Sequence, residues 1–437
     1  MADNRNVTTG TIYVAVEGTG ARNVTTGTTY VAVEGTGARN VTVGVVYVAI
    51  IPSADRNVTA AVVYVAIGDP LVVAVSAQDM PRTLPTVRLQ QRDFSEFIAL
   101  PSLKLTPLRW SWREPGGPDY AEIEVEGGVD NLWAALQWLR CPVTIYNQNG
   151  TPVWWGYVNN VAFATGDIEI AVALDDMTNK VAVAYSYVEA GSQTVGERRT
   201  TAWAADATSS DEYGVKEFLA SVDGATAAQA EAVRDRLLAL HKYPLATPTP
   251  SSTKKGGSGR LTCLGWWRTL DWRYYSQATT ASVETTTQIA DIVSDVGEFL
   301  AGTDIVNASG ISSSEYRDGD SVARVEVEAL LSSLRATVTR ERYLRIETQA
   351  ASGDDDWLLL PDGRFSTRLG AIPEPGSAIL GWAQLRGIVP ASANLDYMAA
   401  PSPFYIEENE YDAESGLYNW RARGAASAWE LTRIVQG

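Results

Sequence analysis

The chain has 437 residues, 45% of them hydrophobic, and a net charge of −17. That length allows two to four domains with sizeable cores, and the acidic balance excludes nucleic-acid binding as the main role, because such domains neutralise phosphates with Lys and Arg. With two cysteines, Cys141 and Cys263, and one histidine, His241, a Cys-rich zinc site, a disulfide scaffold and a His-dependent triad are all hard to build.

The N-terminal region repeats itself. Arg-Asn-Val-Thr begins at Arg5, Arg22, Arg39 and Arg56, and Tyr-Val-Ala follows at Tyr13, Tyr30, Tyr47 and Tyr64, a period of 17. A short fixed period marks an array of identical supersecondary units. Val, Thr, Ile and Tyr dominate each copy, so each reads as one strand of about eleven residues closed by a Gly-rich turn. Two arrangements fit: a self-contained meander, or an arm whose strands add to sheets of other subunits. Few side chains are bulky, which favours strands that need partners. Asn-Val-Thr also matches a glycosylation acceptor, but Met1-Ala2-Asp3-Asn4 lacks the basic and apolar text of a signal peptide. The expectation is therefore synthesis and retention in the cytosol, with no export signal. No apolar run is long enough to span a membrane, so no anchor is expected.

Residues 71–100 read as a linker. Over 101–190 the text is β-rich with one short helix. Leu105–Trp112 is a strand, and Tyr120–Glu126 alternates so that one face is buried and one is acidic. Asp130 is placed to cap a helix from Asn131 to Arg140. Val143–Tyr146 and Val153–Val158 flank Asn147-Gln148-Asn149-Gly150 and read as a hairpin. Ile168–Leu174 and Val181–Tyr185 complete what the spacing suggests is a small closed barrel.

Residues 191–260 predict two helices, Tyr213–Val222 and Ala227–Lys242, then a flexible Thr/Pro/Ser/Lys/Gly segment from Ala246 to Gly259. Over 261–360 an α+β part is predicted, with helices Gln288–Leu300 and Ser321–Leu334 and a hairpin over 336–347. Residues 361–437 read as an irregular, Pro-rich or β C-terminal segment.

No Gly-rich phosphate loop, His-Glu-x-x-His or Gly-x-Ser-x-Gly is present. Asp354-Asp355-Asp356 lacks the spacing of a calcium loop and reads as a solvated turn. Asp175/Asp176 and Glu407/Glu408 are ordinary for an acidic chain. No catalytic, metal-binding or cofactor-binding residue is nominated, and no cofactor is expected. The pairs Trp154/Trp155 and Trp266/Trp267 stand out among fourteen tryptophans. They suit β-core or subunit-interface packing better than sugar stacking. With Tyr13, Tyr30, Tyr47 and Tyr64 they are the candidate interaction residues.

Three stretches resemble the minor tail proteins of long-tailed bacteriophages: Tyr120–Tyr157 with its CPVTIYNQNGTPVWWGYV, Leu261–Ser276 (LTCLGWWRTLDWRYYS), and Thr285–Asp320 followed by RATVTRERYLRIE. Together they resemble the baseplate-hub or tail-tip family from about residue 100 to the end. The resemblance implies small β-barrels assembled in threefold rings below a sixfold tail tube, and it carries no catalytic motif. The four repeats lie outside it. The fold class expected is mainly β with some α: hub-like β-barrel domains preceded by the strand-repeat arm.

The function expected is that of a structural virion protein at the tail tip, not an enzyme. It would connect the tail tube to distal tip proteins and line the DNA exit path. Expected partners are other tail proteins (tube, distal tail, tape-measure and fibres) and further copies of itself, in a trimer. The alternative is a carbohydrate-binding tail adhesin that uses Trp-rich strands.

Overall fold

A computed structural model describes strand backbones within residues 5–67 and most of 84–424; the longest stretches outside the description are 68–83, 386–403 and 425–437. The chain divides into two compact units, Met1–Arg82 and Thr83–Gly437.

In the first unit the repeats pair in parallel and in register. Arg5 aligns with Arg22, Arg22 with Arg39 and Arg39 with Arg56, and Tyr47 aligns with Tyr64. This replaces the meander, which would be antiparallel. Repetition explains it: identical segments one period apart present identical hydrogen-bonding and side-chain patterns, so stacking like on like satisfies every copy at once. Three of the four copies form two strands each, for example Arg5–Thr9 and Val14–Val16. The third forms one, Arg39–Ile51.

The second unit is built on a 13-stranded sheet that is open, not closed. Its path runs from Ala246–Pro250 through Ile168–Ala173, Pro152–Thr165, Ser258–Leu264, Gly117–Gly127 and Leu103–Arg113 to Phe404–Asp412. It continues through Gly381–Leu385 and Trp357–Leu359 to Phe365–Ser366. Thr86–Leu89, inside the expected linker, pairs with Pro142–Tyr146, and Leu417–Gly424 flanks Phe404–Asp412. The expected small barrel does not form, because two of its strands have other partners. Lys180–Val188 leaves for a separate sheet, where it pairs with Val195–Thr200 and, in parallel, with Glu217–Ala225. Leu103–Arg113 takes Phe404–Asp412 as its outer neighbour.

Local signals place the hairpin Pro142–Tyr146/Pro152–Thr165 and the hairpin Leu334–Val338/Tyr343–Thr348 as expected. Five α-helices are described: α1 (Val129–Ala134), α2 (Ala207–Tyr213), α3 (Ala227–His241), α4 (Thr285–Val296) and α5 (Ala323–Leu331). Gly128, not Asp130, caps α1, and a 3₁₀ turn, Ala135–Trp138, completes that segment. A helix over 213–222 is not formed: α2 ends at Tyr213 and Glu217–Ala225 is a strand. Helix α3 starts with a capping box between Thr226 and Gln229. Helices α4 and α5 bury Ile289, Ile292, Val293 and Val296, and Val327, Leu330 and Leu331, in the core that the large sheet also covers.

Trp110 anchors the C-terminal return. It is fully buried, stacks at 4.9 Å on Tyr411 and donates from Nε1 to the Gly376 carbonyl at 2.8 Å. Gly376 has φ +80°, and a Cβ there would lie 2.3 Å from the indole, so only glycine fits. The C-terminal part, expected to be irregular or β, supplies three strands to the large sheet between residues 381 and 424.

Candidate assembly surfaces

The tryptophans singled out in the sequence are spent inside the chain. Trp154 is 0% exposed and donates from Nε1 to the Ser111 carbonyl at 3.2 Å. Trp155 is half-buried and donates to the Val338 carbonyl at 3.0 Å. Trp266 and Trp267 are buried on the 3₁₀ turn Trp266–Trp272, where Trp266 packs on Tyr157 at 5.2 Å. Trp154, Trp266 and Trp267 belong to the core, and Trp155 packs against it. In the repeats, Tyr47 and Tyr64 share a register position, while Tyr13 and Tyr30 lie outside the described residues. Asp354-Asp355-Asp356 lies outside them as well.

Buried acids are held by pairs of cations. Glu122 is buried in the Gly117–Gly127 strand and receives Arg109 Nε at 2.7 Å and Arg260 Nη1 at 2.6 Å from the two adjacent strands. Glu217 receives Lys180 Nζ at 2.8 Å and Arg273 Nε at 3.1 Å, and accepts the Tyr274 backbone N–H at 2.7 Å. Both cysteine thiols are buried, unpaired and pushed up in pKa by burial, as small apolar core residues are. His241 closes α3, and its carbonyl accepts the Thr178 N–H.

A cleft of about 320 Å³ opens beside the turn after Leu103–Arg113, next to α5 and Tyr405. Its carboxylates are engaged. Asp119 meets Arg268 at 2.8 Å, Glu328 meets Arg324 at 2.8 Å, and Glu114 meets Arg335 at 3.2 Å and the Tyr405 hydroxyl at 2.7 Å. No Ser, Cys or His is among its lining residues, so a nucleophile activated by a base is not available there. Among the described residues, no group of three or more His, Cys, Asp and Glu is gathered to hold a metal ion, and no helix is long and apolar enough to cross a membrane.

The outward features are the edges of the large sheet, which the sequence reading missed. Ala246–Pro250, expected as a flexible segment, is an edge strand exposed at every residue and paired with Ile168–Ala173. Its prolines, Pro248 and Pro250, fall opposite Ile170 and Ile168, at alternate positions. A proline is tolerated at an edge when its missing N–H faces away from the neighbour, so the free side of this strand lacks those donors. Leu417–Gly424 contrasts with it. It carries no proline, and Phe404–Asp412 is its one strand partner among the described residues. Leu417 is 65% exposed and Trp420 41%, and Trp420 stacks on Phe404 at 5.3 Å. This edge offers backbone hydrogen bonds beside exposed apolar side chains.

No family model matches the chain, and no curated protein does. Solved structures similar to it include two tail proteins. One is a 43 kDa tail protein of prophage MuSo2 from Shewanella oneidensis, 8% identical over 77% of this chain and 97% of that one, with a TM-score of 0.36. The other is a tail protein from Neisseria meningitidis, 8% identical over 78% of this chain and 97% of that one, with a TM-score of 0.33.

Proposed function

We propose that the chain is a structural component of a phage tail, with no catalytic role. It sits at the hub or tip, between the tube and the distal proteins, and works as a ring of three copies around the DNA exit path. The observation that carries this reading is the unblocked edge strand Leu417–Gly424, with Leu417 and Trp420 exposed beside it. An edge of that kind recruits a strand from another chain. The carboxylates Asp119, Glu328 and Glu114 of the cleft are engaged by arginines within the fold, which suits a scaffold rather than a reaction centre. The net charge of −17 suits a lumen through which DNA must slide without sticking. The sugar-binding alternative is less favoured, because Trp154, Trp266 and Trp267 are buried and Trp155 is half-buried.

The test is Trp420→Asp in the phage. The variant protein should be folded in isolation by circular dichroism, and tails should be absent or truncated in negative stain. Sedimentation of the isolated wild-type protein, alone and with tail partners, reports ring formation. Intact tails with the variant, or a folded chain that stays monomeric with every tail partner, would remove the basis of this reading.

A further inference from the structure

Among the described residues, three that are not glycine have a positive φ: Phe94 at 64°, Arg140 at 66° and Arg342 at 67°. That region disfavours bulky side chains, and such strain concentrates at ligand clamps and active sites. The three come from separate turns. Phe94 follows the Thr86–Leu89 strand, Arg140 precedes Pro142–Tyr146, and Arg342 joins Leu334–Val338 to Tyr343–Thr348. They meet in space. The Arg342 guanidinium lies 3.6 Å from the centre of the Phe94 ring, and Arg140 lies 5.9 Å from that ring and 5.0 Å from the ring of Phe299.

The charges there are not balanced. Arg140 is only 6% exposed, and its enclosed Nε has no hydrogen-bond partner. No side-chain hydrogen bond or ion pair reaches its guanidinium among the described residues. Burial draws its pKa down to about 10, helped by the neighbouring charge of Arg92, so it is still a cation at neutral pH. Arg342 donates from Nη1 to the Phe299 carbonyl at 3.0 Å and meets no carboxylate among the described residues. Arg92 is satisfied by Glu212 at 2.6 Å and by the carbonyls of Leu139 and Gln137. The nearby Glu298 accepts the Val215 N–H at 2.9 Å. Ring faces attract guanidinium groups, which accounts for the stacking, but they do not replace the hydrogen bond that Nε lacks. Glu298 lends Arg140 a nearby negative charge without a direct contact, and a buried guanidinium N–H left without an acceptor is costly unless a partner arrives.

We propose that Arg140 and Arg342, flanked by Arg92 and Phe94, form an oxyanion-binding site. Its ligand is a carboxylate or phosphate group, which a guanidinium fork grips through two parallel hydrogen bonds. The group arrives either as a free anion or as an acidic side chain of a docked tail protein. This inference is independent of the edge strand.

The experiment is thermal unfolding of the full chain at fixed ionic strength, with chloride replaced stepwise by inorganic phosphate or by acetate. A ligand bound only by the folded state raises Tm progressively with its concentration. The wild type should respond to phosphate, acetate or both, and R140M should lose the response. A response to acetate alone assigns the site to carboxylates, and hence to an acidic side chain; a response to phosphate alone assigns it to a free tetrahedral anion. A wild type indifferent to both anions, or an equal response in R140M, overturns the proposal. Should R140M fail to fold, R140K keeps the charge and removes the fork. Calorimetric titration with the effective anion should then give a Kd weaker by about tenfold, and an unchanged Kd overturns the site.

Discussion

Trp154 and Trp420 make opposite predictions under truncation, and the pair tests whether the aromatic residues are divided between core and interface as described. Trp154→Ala removes a side chain that is fully buried and hydrogen-bonded to the Ser111 carbonyl. A buried Trp hides about 150–250 Å², worth about 4–6 kcal/mol at 25 cal/mol per Å². Measured Trp→Ala losses in cores run at about 3–5 kcal/mol. The neighbouring strand cannot collapse into the space freely, because the backbone at Gly156 is already against the Leu264 carbonyl. A loss near 4 kcal/mol is therefore expected, which for a unit of this size lowers Tm by roughly 8 °C or somewhat less. Trp420→Ala removes a half-exposed ring stacked on Phe404 and should cost about 1 kcal/mol. The assay is thermal and urea unfolding of the isolated protein, beside tail assembly for each variant. Trp154→Ala should fail in both; Trp420→Ala should fail only in assembly. An isolated Trp154→Ala protein of wild-type stability that still cannot assemble would place Trp154 at an interface and refute the core assignment.

Four further outcomes follow from named contacts. Glu122→Gln should cost about 1–3 kcal/mol in urea unfolding, since Arg109 and Arg260 lose their shared counter-charge but keep access to water. Replacing Pro248 and Pro250 by Thr restores donors to the free edge, and light scattering should show association that the wild type lacks. At Glu284, which caps α4, burial raises the carboxyl pKa. Hydrogen bonds from Ser309, Thr286 and the Thr287 N–H outweigh that and hold it at about 2, below the usual 4.5. Its contribution is therefore present above pH 4.5 and lost as pH falls toward 2, so Glu284→Gln should lower Tm at neutral pH and flatten the acid limb between those values. Gly376→Ala should destabilise by about 2–4 kcal/mol in urea, through a positive φ and a clash with Trp110.

What the sequence revealed was what neighbouring residues decide. The periodicity of α4, the apolar stripe of Val233, Leu237 and Leu240 on α3 and the Asn-Gln-Asn-Gly turn are local, and each places its element to within a few residues. What stayed hidden depends on partners far along the chain. Ala246–Pro250 has no buried residue to set up an alternation, and only its ladder to Ile168–Ala173 makes it a strand. Glu217–Ala225 reads as a helix until Lys180–Val188 is known to lie beside it. Phe404–Asp412 looks irregular, and its partner Leu103–Arg113 is some 300 residues earlier. The Trp pairs are legible in the sequence as packing residues, but the choice between this chain's core and a subunit interface is not. Nothing in one-letter text marks a positive φ at Phe94, Arg140 or Arg342, so that cluster emerges only from the fold.

Two edge strands of the large sheet, Ala246–Pro250 and Leu417–Gly424, have different consequences for assembly. A sheet open at both edges can pair in either direction and grow without limit, which is the hazard that edge strands carry. Here the prolines of Ala246–Pro250 withhold donors from one edge, while Leu417–Gly424 keeps its donors and acceptors. The blunted edge cannot serve as the acceptor for the open Leu417–Gly424 edge, so pairing between these two strands gives no endless head-to-tail series of copies. A strand added at Leu417–Gly424 must come from the same edge of a second copy, from another segment or from another protein. Same-edge pairing is isologous and stops at two copies, whereas a closed ring needs heterologous contacts between different surfaces. A ring of three, if it forms, therefore requires a second surface to meet this edge, and that surface cannot be the proline-blocked strand. Replacing Pro248 and Pro250 is then informative about assembly as well as aggregation. If the open edge engages the newly unblocked one, the variant gains a heterologous contact, and its association should extend to long polymers instead of ending at a defined mass.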